Sequence, residues 1–272
     1  GLAVGTSIGI LSRYMARFDK LEFDDAERDG KAAEPEMAVR RDDIDWMQRA
    51  DQHRRTGLYE NALKFYSRAL ELDKTLVGGW LGQVQMLVLL AEYPEAELWA
   101  RKALELFPGH GDLMAGRAQA LCRMRDGKRA HEMCDGSLKQ TGQSAYRWMV
   151  RGELMLAGKQ ATDQYCFDKA QQLDADWLVS AEITLVYLFY RNPSRALLRA
   201  RRACETAPDQ YYAWLLQARC QRALGLDSQA RRSLQTCLEL CPGHEEARQM
   251  LAELEQPSVP SLGRWLRGLF RR

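Results

Sequence analysis

The sequence has 272 residues, 46% hydrophobic and 28% charged, a balance typical of folded globular chains and opposed to global disorder. Its net charge is only +2, so overall charge gives no ground for nucleic-acid binding. Seven cysteines without a C-x-x-C pair and four scattered histidines argue against a disulfide framework or a zinc site. They predict small apolar fillers in a reducing compartment, which favours the cytoplasm.

The chain opens on GLAVGTSIGIL, about half the roughly 20 apolar residues of a membrane-spanning helix. Thr6 lies one place too late for a myristoylation signal, and no basic residue precedes the run as in a signal peptide. In the next stretch Leu11, Tyr14, Phe18 and Leu21 recur at helical spacing, so residues 1–23 read as an apolar, amphipathic segment. Residues 24–42 have little apolar content to bury and read as a flexible acidic linker. From Asp19 to Glu36 eight acids stand against three bases.

A repeat follows. KALELFPGHG, ending at Gly111, returns as TCLELCPGHE, ending at Glu245. Helix breakers at Lys74, Pro108, Gly142, Ala175, Pro208 and Pro242 fall 33–34 residues apart. Ahead of each stands a helix carrying a small residue at its start: Ala62, Ala96, Ala130, Asp163, Ala196 or Ala230. Asp163 and Ala175 are departures that predict a looser fourth unit. Six residues after most breakers comes a large side chain (Trp80, Met114, Trp148, Trp214), followed four places on by Val84, Ala118, Gly152 or Ala218. Trp46 and Ala50 open the series. In the fifth unit the phase of the first helix is ambiguous, and the turn around YRNPSRA reads as one residue short. Each unit is thus two amphipathic helices and a tight turn, unable to bury both faces alone, and six must stack into one core.

Period, small positions, aromatic position and terminal proline together resemble the tetratricopeptide repeat family over residues 43–244. The implied fold is an all-α, right-handed superhelical solenoid of six helix-turn-helix repeats, about 43–76, 77–110, 111–143, 144–176, 177–210 and 211–244. A capping helix is expected over 245–256, and a basic amphipathic tail over 257–272. The resemblance further implies a concave groove, lined mainly by the first helix of each unit, that holds a protein or peptide. Carried onto this sequence, the inward positions are Met47, Asp51, Arg54 and Arg55; Leu81 and Gln85; Gln119 and Arg123; Tyr146, Met149 and Glu153; Tyr212, Leu215, Arg219 and Arg222. The Lys and Asn clamp with which some family members grip a chaperone's C-terminal carboxylate is missing: Met47, Asp51 and Arg55, then Leu81, Gln85 and Leu89, stand in its places.

No phosphate loop, dinucleotide loop, zincin helix or nucleophile elbow occurs, so no enzyme, metal or cofactor is expected. His110 and His244 read as residents of exposed turns. Nine arginines from Leu185 to Gln235 face three acids, with Arg195, Arg199, Arg202, Arg231 and Arg232 the candidate basic patch. A solvated helix face is the plain reading of it; beyond that, an acidic partner or the chain's own acidic segment suits it better than nucleic acid or anionic lipid, for no exposed aromatics interleave to stack bases. In the tail, Trp265, Leu266, Leu269 and Phe270 form an apolar stripe among arginines; a segment this short reads as disordered or packed on its own capping helix, or else suits an anionic membrane surface or a partner groove. The expectation is a non-enzymatic scaffold or adaptor in a multi-protein assembly, cytoplasmic, at the cytoplasmic face of a membrane if the tail engages lipid. Two alternatives stand beside it: a regulatory or nucleic-acid-associated adaptor using the arginines of repeats five and six, and the C-terminal interaction region of a longer enzyme or sensor.

Overall fold

The computed structural model describes residues 36–255. Among the described residues there are thirteen α-helices and no strand. In chain order they are α1 (Glu36–Arg55), α2 (Tyr59–Leu72), α3 (Val77–Leu89), α4 (Tyr93–Leu106), α5 (Gly111–Arg123), α6 (Gly127–Lys139) and α7 (Ala145–Ala157). Then come α8 (Asp163–Leu173), α9 (Trp177–Phe189), α10 (Pro193–Thr206), α11 (Tyr211–Ala223), α12 (Asp227–Leu240) and α13 (Glu245–Glu255). Consecutive helices pack as six hairpins from α1/α2 to α11/α12, and α13 covers α12. From α3 to α11 the first helices of successive hairpins also touch one another. The architecture is an all-α repeat solenoid with a last unpaired helix.

Small residues decide how closely the helices approach. Ala62, Ala96, Ala130, Ala196 and Ala230 are all fully buried. At Gly82 and Gly152 a Cβ would collide with the rings of Tyr66 and Phe167, so glycine there is a condition of the packing. The repeated tryptophan has a polar task besides filling space. The indole N–H groups of Trp80 and Trp214 donate to the carbonyls of Lys74 and Pro208, at 2.9 and 2.8 Å, tying each new helix to the breaker before it. Trp148 cannot do the same, because Arg147 takes the carbonyls of Gln140, Thr141 and Gly142, and its buried indole N–H is unpaired.

Every hairpin turn has the same C-cap. Gly57, Ala91, Arg125, Lys159, Arg191 and Gly225 adopt left-handed φ values of 76, 65, 65, 55, 54 and 71°. The next N–H then reaches back into the helix, as Leu58 N to His53 O at 2.9 Å and Gln160 N to Met155 O at 2.8 Å. Only two of the six are glycine. For the other four the left-handed conformation costs roughly 1–2 kcal/mol, and a cation near a helix C-terminus recovers only about 0.3–1 kcal/mol. Arg125, Lys159 and Arg191 therefore hold strain that glycine would release.

Several expectations are corrected. Helix α1 begins at Glu36, inside the stretch expected to be a linker, because EMAVRRD after Pro35 contains good helix formers and no breaker. The turn around YRNPSRA has its ordinary three residues between α9 and α10; the short connection is the one from α8 to α9. This settles the phase of the fifth unit, whose small buried position is Thr184. His110 and His244 are more than turn residents: their Nδ1 atoms accept from Leu113 N at 3.4 Å and Ala247 N at 3.3 Å, capping the next helix. The cysteines expected as fillers are free; Cys134, Cys166, Cys204, Cys220 and Cys237 are buried, and Cys122 and Cys241 partly so.

Candidate partner-binding surface

The inner face, expected to be an open groove, is filled by its own side chains. Glu153 on α7 is fully buried, and its carboxylate accepts from Gln119 Nε2 at 2.7 Å, from Arg123 Nε and from the Tyr190 hydroxyl at 3.3 Å. Tyr146 donates to Gln119 Oε1 at 2.8 Å, and burial pushes its phenol well above the usual range. Met149 and Leu215 are core residues, and Met47 and Leu81 pack against the first core cluster. Asp51 accepts from Tyr66 at 2.5 Å. Arg219 pairs with Glu246 at 2.8 and 2.5 Å, and Arg222 with Glu253 at 2.8 Å.

What closes the face is contact between the first hairpin and the fifth and sixth. Arg54 donates to Glu182 at 2.9 and 2.5 Å and to Gln85 at 2.7 Å. Burial alone would lower the Arg54 pKa, but Glu182 raises it, so the guanidinium stays charged. Arg55 forms a two-pronged bond with Asp176 at 2.9 and 3.0 Å, its guanidinium 5.2 Å from the Trp177 ring centre. Tyr59 and Tyr212 share a 2.6 Å hydroxyl bond, and Gly57 lies so close to the Tyr212 ring that a Cβ would collide with it. Tyr93 meets Phe189 edge to face at 6.3 Å. The space left among Gln85, Gln119, Tyr146, Met149, Glu182 and Leu185 is about 20 Å³. That holds about one water, so no peptide fits at this place without separating these hairpins; the open space on this side is a hollow of about 440 Å³ at Arg219, Arg222, Glu246 and Glu253.

The closing residues Asp176, Glu182, Tyr59, Phe189 and Tyr190 lay outside the expected groove set. One signal for them was present: Glu182 is the sole charge in the apolar helix WLVSAEITLVYLF, and a lone buried acid needs a partner.

The expected basic patch is partly neutralised. Arg199 is buried and bonded to Asp168 at 2.7 Å, Arg195 meets Asp163 at 2.7 Å, and Arg202 donates to Gln171 at 3.1 Å. Arg231 donates to the Leu254 carbonyl at 2.8 Å, leaving Arg232 exposed beside it. The tail residues Trp265, Leu266, Leu269 and Phe270 lie outside the described residues, as does the segment 1–23. No described helix is long and apolar enough to cross a membrane.

A second concavity lies at the edge formed by the hairpin turns. Cys122, Arg125, His131, Leu154, Phe189 and Tyr190 line a cleft of about 530 Å³ across repeats three to five. Phe189 is 44% exposed, with the Arg123 guanidinium 3.6 Å from its ring centre. Burial pushes the Cys122 thiol up to about 11, so it is protonated at neutral pH and a poor nucleophile.

Residues 46–76 match the family model of the tetratricopeptide repeat. No curated protein sequence matches the chain. Similar solved structures include a tetratricopeptide repeat protein of Parabacteroides merdae, 15% identical over 81% of this chain and 86% of that one, with a TM-score of 0.49. A thermophilic repeat protein of Thermus thermophilus is 13% identical over 78% of this chain and 98% of that one, with a TM-score of 0.47. In the Cut9–Hcn1 hetero-tetramer of the APC/C, the match is 13% identical over 81% of this chain, with a TM-score of 0.49, and the chain spans 44% of that protein's length.

Proposed function

We propose that this repeat solenoid, whose residues 46–76 match the tetratricopeptide repeat, is a non-enzymatic scaffold that binds a protein partner on its outer surfaces. The carrying observation is the self-satisfied stretch of the inner face from the first repeat to the fifth: Arg54, Arg55 and Arg123 are matched by Glu182, Asp176 and Glu153, and the space left among Gln85, Gln119, Tyr146 and Glu182 is about 20 Å³. Six hairpins spend their apolar faces on each other, so recognition falls to the turn edge and the convex side. A ligand of the inner groove would have to displace Glu182, Asp176 and Tyr212 from Arg54, Arg55 and Tyr59 at once. The basic tail, with Trp265, Leu266, Leu269 and Phe270, is a second proposed contact, to an anionic membrane surface; liposome flotation of the full chain against one ending at Glu255 tests it, and equal flotation rejects it.

Photo-cross-linking residues placed singly at outer positions (Lys128, Lys159, Leu198) and inner positions (Met47, Leu81, Met149) test the scaffold reading in cell extract. One partner cross-linked reproducibly from outer positions supports it. Cross-links confined to inner positions would return the binding site to the groove, and no reproducible partner at any position would reject the scaffold role.

A further inference from the structure

The turn edge differs in charge between the two sets of repeats. In the five residues starting one before the left-handed position, repeats one, two and six read TGLYE, LAEYP and LGLDS, with an acid each and no base. Repeats three, four and five read MRDGK, GKQAT and YRNPS, with Arg125, Lys128, Lys159 and Arg191 against Asp126 alone. Asp126 is already engaged, capping α6 and pairing with Arg129 at 3.3 Å. Arg125, Lys159 and Arg191 are exposed, and each occupies the left-handed position of its own turn. Three adjacent repeats thus carry a base where glycine would relax the backbone, and strain of this kind gathers at ligand-contacting positions.

The cleft of about 530 Å³ opens along this row, with exposed Phe189 and the side chains of Leu154 and Tyr190 in its wall. We propose that the turn edge of repeats three to five is a docking site for an acidic, extended segment of a partner protein that carries an apolar side chain for this cleft. The inference rests on the scaffold reading and names the partner's chemistry. Neighbouring helices pack about 8–10 Å apart, and in an extended chain of polyproline II type, with three residues per turn, side chains three apart share one face about 9 Å from each other. Acids at every third residue therefore match a row of one cation per repeat. Nucleic acid fits less well, since three cations neutralise few phosphates. Moreover the Arg123 guanidinium covers a face of Phe189 that a base would need for stacking.

The test compares the intact chain with Arg125→Gly/Lys159→Gly/Arg191→Gly, read by fluorescence anisotropy. The probe is a labelled synthetic peptide with three aspartates at every third position and one phenylalanine between them. A peptide of the same composition with its aspartates adjacent, and a single-stranded oligonucleotide, are the comparators. The expected result is peptide binding by the intact chain and about tenfold or more weaker binding by the triple variant. The variant's Tm should be higher by about 3 °C or more, because glycine relieves the turns. The adjacent-aspartate peptide should bind several-fold more weakly. Equal peptide binding by chain and variant overturns the proposal, as does tighter binding of the oligonucleotide, or a fall in Tm with the loss of binding, which would make the bases structural. Undiminished partner cross-linking in the triple variant would remove this site and leave the scaffold reading intact. Absence of any cross-linked partner for the unaltered chain would remove the scaffold reading itself.

Discussion

Gln83 on α3 is fully buried with both its amide nitrogen and its amide oxygen unpaired. The same place in the sixth repeat is Gln217, which donates to Ser233 Oγ at 3.0 Å, while that hydroxyl donates to Gln221 at 2.8 Å. In the second repeat the position of Ser233 is taken by Trp99, so Gln83 has lost the hydroxyl that satisfies its counterpart. Gln83→Met, similar in volume and adaptable in shape, is expected to raise stability by about 1–2 kcal/mol. A higher urea midpoint at unchanged m-value would show it, and an unchanged or lower midpoint would mean that Gln83 has an uncounted partner. Such residues show what a sequence makes visible. Ala62, Trp80 and Pro108 stood out because each repeat meets the same neighbours and needs the same size at the same place. The left-handed turns stayed hidden at Ala91, Arg125, Lys159 and Arg191, since only glycine announces a positive φ and it stands at two of the six positions.

Helix α8 is where the repeat pattern weakens, and its packing has a specific replacement for what is missing. It has 11 residues against 13 or 14 in the other second helices of the hairpins, and starts at Asp163, where its neighbours have already made a turn. Asp163 occupies the buried small position, which reads in the sequence as a defect. Its carboxylate accepts from the Tyr187 hydroxyl at 3.0 Å and from Arg195 at 2.7 Å, joining the fourth repeat to the fifth. Asp163→Ala restores the family pattern but strands the hydroxyl of the buried Tyr187. It is expected to destabilise by about 2 kcal/mol, chiefly through that hydroxyl because Arg195 is about half exposed. Asp163→Asn keeps an acceptor for Tyr187 and should lose less. Urea unfolding of the two variants checks this, and an Asp163→Ala chain as stable as the parent would show the pair to be idle.

At the scale of the whole molecule, the closure breaks the rule that a repeat meets only its neighbours. Arg55 and Asp176 are 121 residues apart and Tyr59 and Tyr212 are 153 apart, so no periodicity within a 34-residue unit can announce their contact. Apart from the lone acid Glu182 in its apolar helix, the closure was therefore illegible, although every helix that makes it was foreseen. It should depend on charge. Burial pushes the Asp176 carboxyl up, but the bonds from Arg55 and the Leu178 N–H outweigh burial and hold it below the usual carboxylate range; Arg219 does the same for Glu246. A carboxyl with a depressed folded pKa contributes fully above its unfolded value, near 4, and the contribution disappears as pH falls through the folded value. The ring should thus stay shut at neutral pH and loosen below about pH 4. Arg54→Ala/Arg55→Ala should loosen it at neutral pH, because Glu182 is left mostly buried without its cation, a loss on the order of 3 kcal/mol. Small-angle scattering reads both effects as a larger radius of gyration with helix content retained by circular dichroism. A double variant with the parent's radius would mean that core packing holds the ring without the ion pairs. A radius that grows only at acid pH, in the parent and the double variant alike, would assign the acid loosening to carboxylates other than Glu182 and Asp176.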